Sequence, residues 1–315
     1  MRKLMTIGPL FIAIAAFLWA IDGVLRISLY SLPAAVVVFY EHVFGFVILL
    51  LISFKWFKDL KKMTKKEWLA IALVALFSGA LGTIFYTAAL QKVNFLPYSV
   101  VVLLQQQLQP VWAILAAAIL LREKISKHFL IWAAIAVISI YFVTFKDLHV
   151  NFQTGRETII AALLAIGAGF MWGTSTAISK YVLKKVNFLT ATAERFFLAP
   201  IFALFFIVPQ GQTQSLFHLS VIQIVTLLII TFSTGMVALA IYYYGLKRTP
   251  ARISSIFELT FPGTAIFIDY FFYHNSLSLT QIVGVLILVF SMFQVIKSLK
   301  EPSVIGIKSK SNKQD

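Results

Sequence analysis

The 315-residue chain has no cysteine, which excludes disulfides, iron–sulfur clusters and thiol catalysis but says little about compartment, since membrane proteins need no disulfide staple. Charge is also scarce: Asp, Glu, Lys and Arg make up 12% of residues, about half the share usual in soluble domains. No G-x-x-x-x-G-K-[ST] phosphate cradle occurs, so direct drive by ATP is not expected, and the H-E-x-x-H metal motif is missing too. Gly173-Thr174-Ser175-Thr176-Ala177 imitates a nucleophile elbow, yet it lacks the final glycine and lies in an apolar run rather than at a strand-to-helix turn. These absences argue against an enzyme, and no cofactor or metal is expected.

What fills the chain is apolar. Hydrophobic residues reach 60% and the mean hydropathy is +0.90, values suited to lipid. A span needs about 20 apolar residues, so ten spans use about 200 positions and leave no room for a separate soluble domain. Apolar runs bounded by charge or turn residues predict ten helices: 8–30, 33–54, 67–90, 96–121, 128–145, 158–181, 189–209, 221–246, 253–273 and 280–296. Arg2 and Lys3 before the first run imitate a signal peptide, but no small-residue cleavage site follows, and the run reads as a retained helix.

The net charge of +15 would suggest nucleic acid in a soluble protein. Placement decides otherwise. With the N-terminus taken as cytoplasmic, the inner segments gather 22 of the 27 Lys and Arg, including six lysines from Lys55 to Lys66, whereas the outer connectors hold only Lys92, Lys146 and Arg156. This bias predicts a multi-pass protein of the cytoplasmic (inner) membrane with both termini inside, and no nucleic-acid partner.

The chain also matches itself. A shift of 153 residues lays Phe17 on Phe170, Trp19 on Trp172, Glu41 on Glu194 and Phe44 on Phe197; a shift of 156 lays Gly79 on Gly235 and Tyr86 on Tyr242; a shift of 152 lays Pro110 on Pro262. Each half therefore holds five helices, and an odd number makes the second copy start from the opposite side. The loops agree: the six-lysine connector corresponds to 210–220, which has no Lys, Arg, Asp or Glu. The expected fold is an all-α polytopic membrane protein, ten transmembrane helices as two inverted five-helix repeats at 8–146 and 157–298, with a basic tail at 299–315.

Trp172-Gly173-Thr174-Ser175, Glu194-Arg195-Phe196, Tyr244-Gly245-Leu246 and Glu258 four residues before Pro262 resemble the EamA-type repeats of the drug/metabolite transporter superfamily. Tyr86-Thr87-Ala88-Ala89-Leu90, Pro110 and Leu121-Arg122-Glu123-Lys124 resemble the same repeat in the first half. The resemblance runs from about Pro9 to Lys297 and implies a secondary carrier with helices one to four and six to nine around a central cavity.

Ionisable groups inside a bilayer cost at least about 2.5 kcal/mol each and normally face a cavity or one another. Glu41 and Glu194 lie deep in helices two and seven and approach the midplane from opposite faces, where inverted-repeat carriers bind substrate. His42 follows Glu41 about 100° around the helix. Asp22 and Arg26, spaced i,i+4, read as a structural pair, with Arg26 near the helix end reaching the headgroups as the plain alternative. In the run Gln105-Gln106-Gln107-Leu108-Gln109, Gln106 precedes Pro110 by four residues as Glu258 precedes Pro262, and each proline weakens its helix there. Trp19, Trp172, Tyr86 and Tyr242 recur by symmetry and offer flat walls suited to an amphipathic organic solute. The candidate substrate-binding residues are thus Trp19, Glu41, His42, Tyr86, Gln106, Trp172, Ser175, Glu194, Tyr242 and Glu258. Glu194 and Glu258 are the candidates for coupling to protons.

These features point to a secondary transporter of a small amphipathic metabolite, such as an amino acid or related compound, working by alternating access as a monomer or homodimer among membrane lipids. The rival reading is a membrane-embedded enzyme or flippase acting on a lipid-linked substrate.

Overall fold

The structure, a computed structural model, describes residues 2–52, 57–92, 98–148, 156–274 and 276–298. They form helices α1 (Arg2–Arg26), α2 (Ala34–Ile52), α3 (Lys65–Lys92), α4 (Tyr98–Leu120), α5 (Lys127–Thr144), α6 (Arg156–Leu183), α7 (Phe188–Ile207), α8 (Val221–Arg248), α9 in two pieces (Ala251–Phe257 and Thr260–Tyr273) and α10 (Leu279–Lys297). Seven of the ten are long and apolar enough to cross a membrane; α4 and α5 contribute the shorter apolar stretches Leu108–Leu120 and Lys127–Val143. The chain is therefore an all-α polytopic membrane protein.

Helix starts follow from local chemistry. Thr64 with Glu67, Ser220 with Gln223 and Ser278 with Gln281 form capping boxes at α3, α8 and α10, and the Ser126 hydroxyl accepts from the Phe129 amide at α5. Each satisfies backbone donors that the first turn leaves without partners.

Three helices are interrupted, two of them with no expectation of it from the sequence. α3 carries a π-type segment at Ala75–Leu81 and α8 one at Thr231–Gly235, with the Gly82 amide reaching the Phe77 carbonyl and the Met236 amide reaching Thr231, five residues back. α9 breaks at Glu258 and Leu259. Pro262 has no N–H for the Glu258 carbonyl, which accepts instead from the Phe261 amide at 3.0 Å. Pro110 leaves α4 unbroken.

The connectors gather at two faces. At the N-terminal face the Asn187 amide donates to Asp59 (3.0 Å), Lys185 pairs with Glu67 (2.9 Å), Lys247 donates to the Val186 carbonyl (2.8 Å) and the Ala251 amide donates to Glu123 (2.7 Å). Partial burial opposes ionisation of Asp59, but hydrogen bonds from Lys62 and the Asn187 amide outweigh it and hold this carboxyl below its ordinary range. At the opposite face Lys92 pairs with Glu157 (2.8 Å), Gln91 donates to the Leu32 carbonyl (2.7 Å), Gln223 donates to Ser31 (3.0 Å) and the Asp147 amide donates to Thr280 (3.0 Å). Even-to-odd connectors thus share one face and odd-to-even connectors the other, as ten antiparallel spans require.

Helix pairing repeats under exchange of the two halves. α1 packs on α8 and α9; their counterparts α6, α3 and α4 pack together in the same way; α2 packs on α7 and α5 on α10. The two repeats therefore interlock about a pseudo-two-fold axis rather than standing side by side, and the space enclosed by α1–α4 and α6–α9 lies on that axis.

Candidate functional site

A central cavity of about 110 Å³, counted as the space open to the centre of a water molecule, lies among these eight helices. Its walls are built from the repeated aromatics. Trp19 of α1 meets Tyr242 of α8 with ring centroids 5.1 Å apart, and Trp172 of α6 meets Tyr86 of α3 at 5.3 Å. Exchange of the two halves turns one pair into the other. The cavity therefore has two matched aromatic walls, one from each pair of interlocked helices.

Polar groups occupy the cavity in two clusters. In the first, Arg26 pairs with Asp22 and with Glu41, whose Oε2 lies 2.8 Å from Nη2; Thr234 donates to Asp22 at 2.6 Å, and Arg26 reaches the Thr87 hydroxyl at 3.4 Å. All three charged side chains are buried. In the second cluster the Tyr242 hydroxyl donates to Glu258 Oε1 at 2.7 Å, the Gln109 amide donates to the other carboxyl oxygen, and Thr176 meets Tyr242 at 3.0 Å. Asp22 and Arg26 end α1 and Glu41 lies about 10 Å into α2, toward the face opposite the N-terminus, whereas Glu258 lies about 10 Å into α9 from the N-terminal face. The clusters thus stand toward opposite ends of the cavity.

The interrupted helices place these groups. Thr234 sits in the π segment of α8, and a Cβ on its neighbour Gly235 would lie 3.1 Å from Glu41, so the glycine gives the carboxylate room. Ser78 sits at the matching place in α3. Its carbonyl accepts from Thr83 (3.0 Å), Trp172 Nε1 (3.2 Å) and Arg195 Nη2 (2.8 Å). The break in α9 likewise falls at Glu258, where an uninterrupted helix would continue past the carboxylate.

Of the residues singled out from sequence, Trp19, Glu41, His42, Tyr86, Trp172, Ser175, Tyr242 and Glu258 line this cavity. His42 is buried, with Nδ1–H donating to the Val38 carbonyl at 2.8 Å and its ring 4.7 Å from Phe196. Glu194 is not among the lining residues. It is buried in α7, and among the described residues no hydrogen bond reaches its carboxyl. Its neighbour Arg195 lines the cavity in its place, because successive residues point about 100° apart on a helix. The Gln106 side chain and the 299–315 tail lie outside the described residues; Gln109, from the same glutamine run, meets Glu258.

Arg26 does not reach for headgroups: it is 3% exposed and holds a second carboxylate from α2. The i,i+4 spacing revealed its bond to Asp22, whereas Glu41 and Thr234 are tertiary partners that no local pattern shows. Gln109, Thr176, Thr234 and Arg195 are the functional candidates that sequence reasoning passed over. For Arg195 a signal existed, since it aligns with His42 at the 153-residue shift.

The sequence pattern of the EamA-like transporter family matches twice, at residues 6–145 and 159–296. The chain belongs to that family. It is 31% identical to the riboflavin transporter ImpX of Fusobacterium nucleatum subsp. nucleatum over 303 residues, covering 92% of this chain and 97% of that one. It is 24% identical to an uncharacterized transporter of Archaeoglobus fulgidus over 279 residues, covering 88% and 93%. A crystal structure at 15% identity superposes with a TM-score of 0.70 over 93% of this chain and 98% of that one, which establishes the shared fold. In this EamA-like transporter the two family repeats meet at the cavity, and every polar cluster within it draws residues from both.

Proposed function

We propose that this protein is a secondary transporter that moves a small planar heteroaromatic metabolite bearing polar groups across the cytoplasmic membrane by alternating access, with riboflavin the first candidate. The observation that carries the reading is the matched pair of aromatic walls, Trp19–Tyr242 and Trp172–Tyr86, facing one cavity that also holds charged and hydroxyl groups. Flat π faces favour a flat solute, and the polar clusters at either end suit a molecule whose edges carry hydrogen-bonding groups. The 31% identity to a riboflavin transporter supports the same substrate class. Inverted repeats interlocked around a central site give the symmetric scaffold that alternating access uses.

Coupling is proposed at Glu258, a protonatable group in the cavity beside a helix break, with the N-terminal face cytoplasmic. Purified protein in liposomes, loaded with unlabelled solute and supplied with labelled riboflavin or a labelled amino-acid panel, tests the assignment. Riboflavin counterflow is the expected result. Counterflow of an amino acid but not riboflavin overturns the substrate, and no counterflow of any solute overturns the carrier reading.

A further inference from the structure

Arg195 differs from the other arginine in the cavity. Arg26 is paired with two carboxylates and also donates to a threonine hydroxyl. Arg195 donates one bond, from Nη2 to the Ser78 carbonyl at 2.8 Å; its buried Nε has no partner, and among the described residues no carboxylate lies within ion-pair distance. Two more buried groups in the same cavity are also unsatisfied: the hydroxyls of Ser175 and Ser78, in residues 2% and 4% exposed. Buried polar atoms are nearly always hydrogen-bonded, so three orphans in one cavity mark the place of something that bonds them.

The two halves of the molecule make the contrast sharper. The 153-residue shift lays Asp22 on Ser175, Arg26 on Ser179 and His42 on Arg195. In the first repeat, charge is neutralised internally by Asp22 and Glu41. At the corresponding place in the second repeat the carboxylate is replaced by a serine, and the cation of α7 is left open. Geometry holds that cation still: the Ser78 carbonyl accepts from both Arg195 and Trp172 Nε1, fixing the guanidinium beside the end of one aromatic wall.

Resting on the transport reading above, we infer that this part of the cavity is a subsite for a planar pair of hydrogen-bond acceptors on the substrate, a ring carbonyl beside an unprotonated ring nitrogen or a carboxylate, taken by Arg195 with Ser175 and Ser78. A guanidinium presents parallel donors that match two acceptors in one plane, which a lysine ammonium does not. Arg195 then sets which edge of the substrate is read, while the aromatic walls hold its faces.

Calorimetric titration of the detergent-purified full chain with riboflavin, lumichrome (the tricyclic ring, with its carbonyl beside a ring nitrogen, without the sugar chain) and 2-naphthoate (a planar carboxylate) tests this in wild type, Arg195→Gln, Arg195→Lys and Ser175→Ala. Arg195→Gln is expected to weaken at least one probe about tenfold or more, and Arg195→Lys to recover only part of the loss. A loss with lumichrome identifies the ring carbonyl and nitrogen, a loss with naphthoate the carboxylate. Ser175→Ala removes a hydroxyl that bonds no other protein group, so it should weaken the same probe severalfold while leaving the melting temperature unchanged or higher. That readout stands even if the arginine variants fail to fold. Equal affinities in all four proteins, no binding of any probe by wild type, or a lower melting temperature for Ser175→Ala overturns the subsite. Riboflavin carried equally by wild type and Arg195→Gln removes the subsite but keeps the substrate, whereas naphthoate binding that depends on Arg195, without riboflavin binding, does the reverse.

Discussion

Arg26 is the cation on which two buried carboxylates depend, and its loss would leave Asp22 and Glu41 facing each other in an apolar surround. Removing one partner of a buried ionic set typically costs about 3–5 kcal/mol, while replacing the whole set with neutral groups of like shape is often close to neutral. Arg26→Met is therefore expected to lower the melting temperature sharply or abolish monodisperse purification. The triple variant Asp22→Asn, Arg26→Met, Glu41→Gln should recover stability yet lose uptake. Wild-type uptake by the triple variant would make the cluster structural alone. Glu258 carries a separate expectation. Gln preserves its shape and can still accept from Tyr242, but cannot titrate, so Glu258→Gln should lose gradient-driven accumulation and keep solute exchange; full proton-driven accumulation in that variant removes it as the coupling site. At this scale the repeated aromatics and Glu258 were legible because symmetry or proline spacing marked them. Symmetry misled at Glu194, since it identifies matching positions without saying which neighbour on the helix turns inward.

The helices themselves were legible from apolar runs and capping residues, and Pro262 marked the weak point of α9, but the π segments were not legible. A π segment adds one residue to a turn and leaves no mark in composition, and α3 is apolar through 75–81 apart from Ser78 and Gly79. The matched glycines Gly79 and Gly235 were the only trace. Their necessity is steric: a Cβ on Gly79 would lie 2.8 Å from the Ala199 Cβ, closer than side chains pack, so α3 could not sit against α7 as it does. Gly79→Ala should therefore destabilise by about 1–3 kcal/mol, the usual cost of overpacking, and shift the π segment that presents the Ser78 carbonyl. Adding Ala199→Gly returns the space. A double variant that melts and transports like wild type confirms the contact, while a double variant no better than Gly79→Ala alone points to the backbone of the π segment instead. Pro110 and Pro262 show why proline alone does not predict a break. Both remove a donor, yet α4 stays continuous, whereas the Glu258 carbonyl is rehoused in a tighter turn, where α9 parts into two pieces.

Across the whole molecule, the pairing of α1 with α8 and α6 with α3 makes neither repeat complete without the other, which explains why the cavity's two walls each take one ring from each half. The same interlocking fixes which connectors share a face. Asp59, Lys185 and Glu123 tie the lysine-rich connectors together on the N-terminal side, and 210–220, with no Lys, Arg, Asp or Glu, falls on the other. Because cationic connectors resist translocation, that side is expected to be cytoplasmic. The lack of native cysteine makes the test clean, since any single introduced thiol is the only one to label. In intact cells a membrane-impermeant maleimide should modify Gln212→Cys, while Lys62→Cys and Lys184→Cys should react only after the membrane is opened. Labelling of all three without opening would break the alternating arrangement of spans. Labelling of Lys62→Cys and Lys184→Cys alone would keep the inverted repeats but turn the molecule over, and Glu258 would then stand toward the outer side.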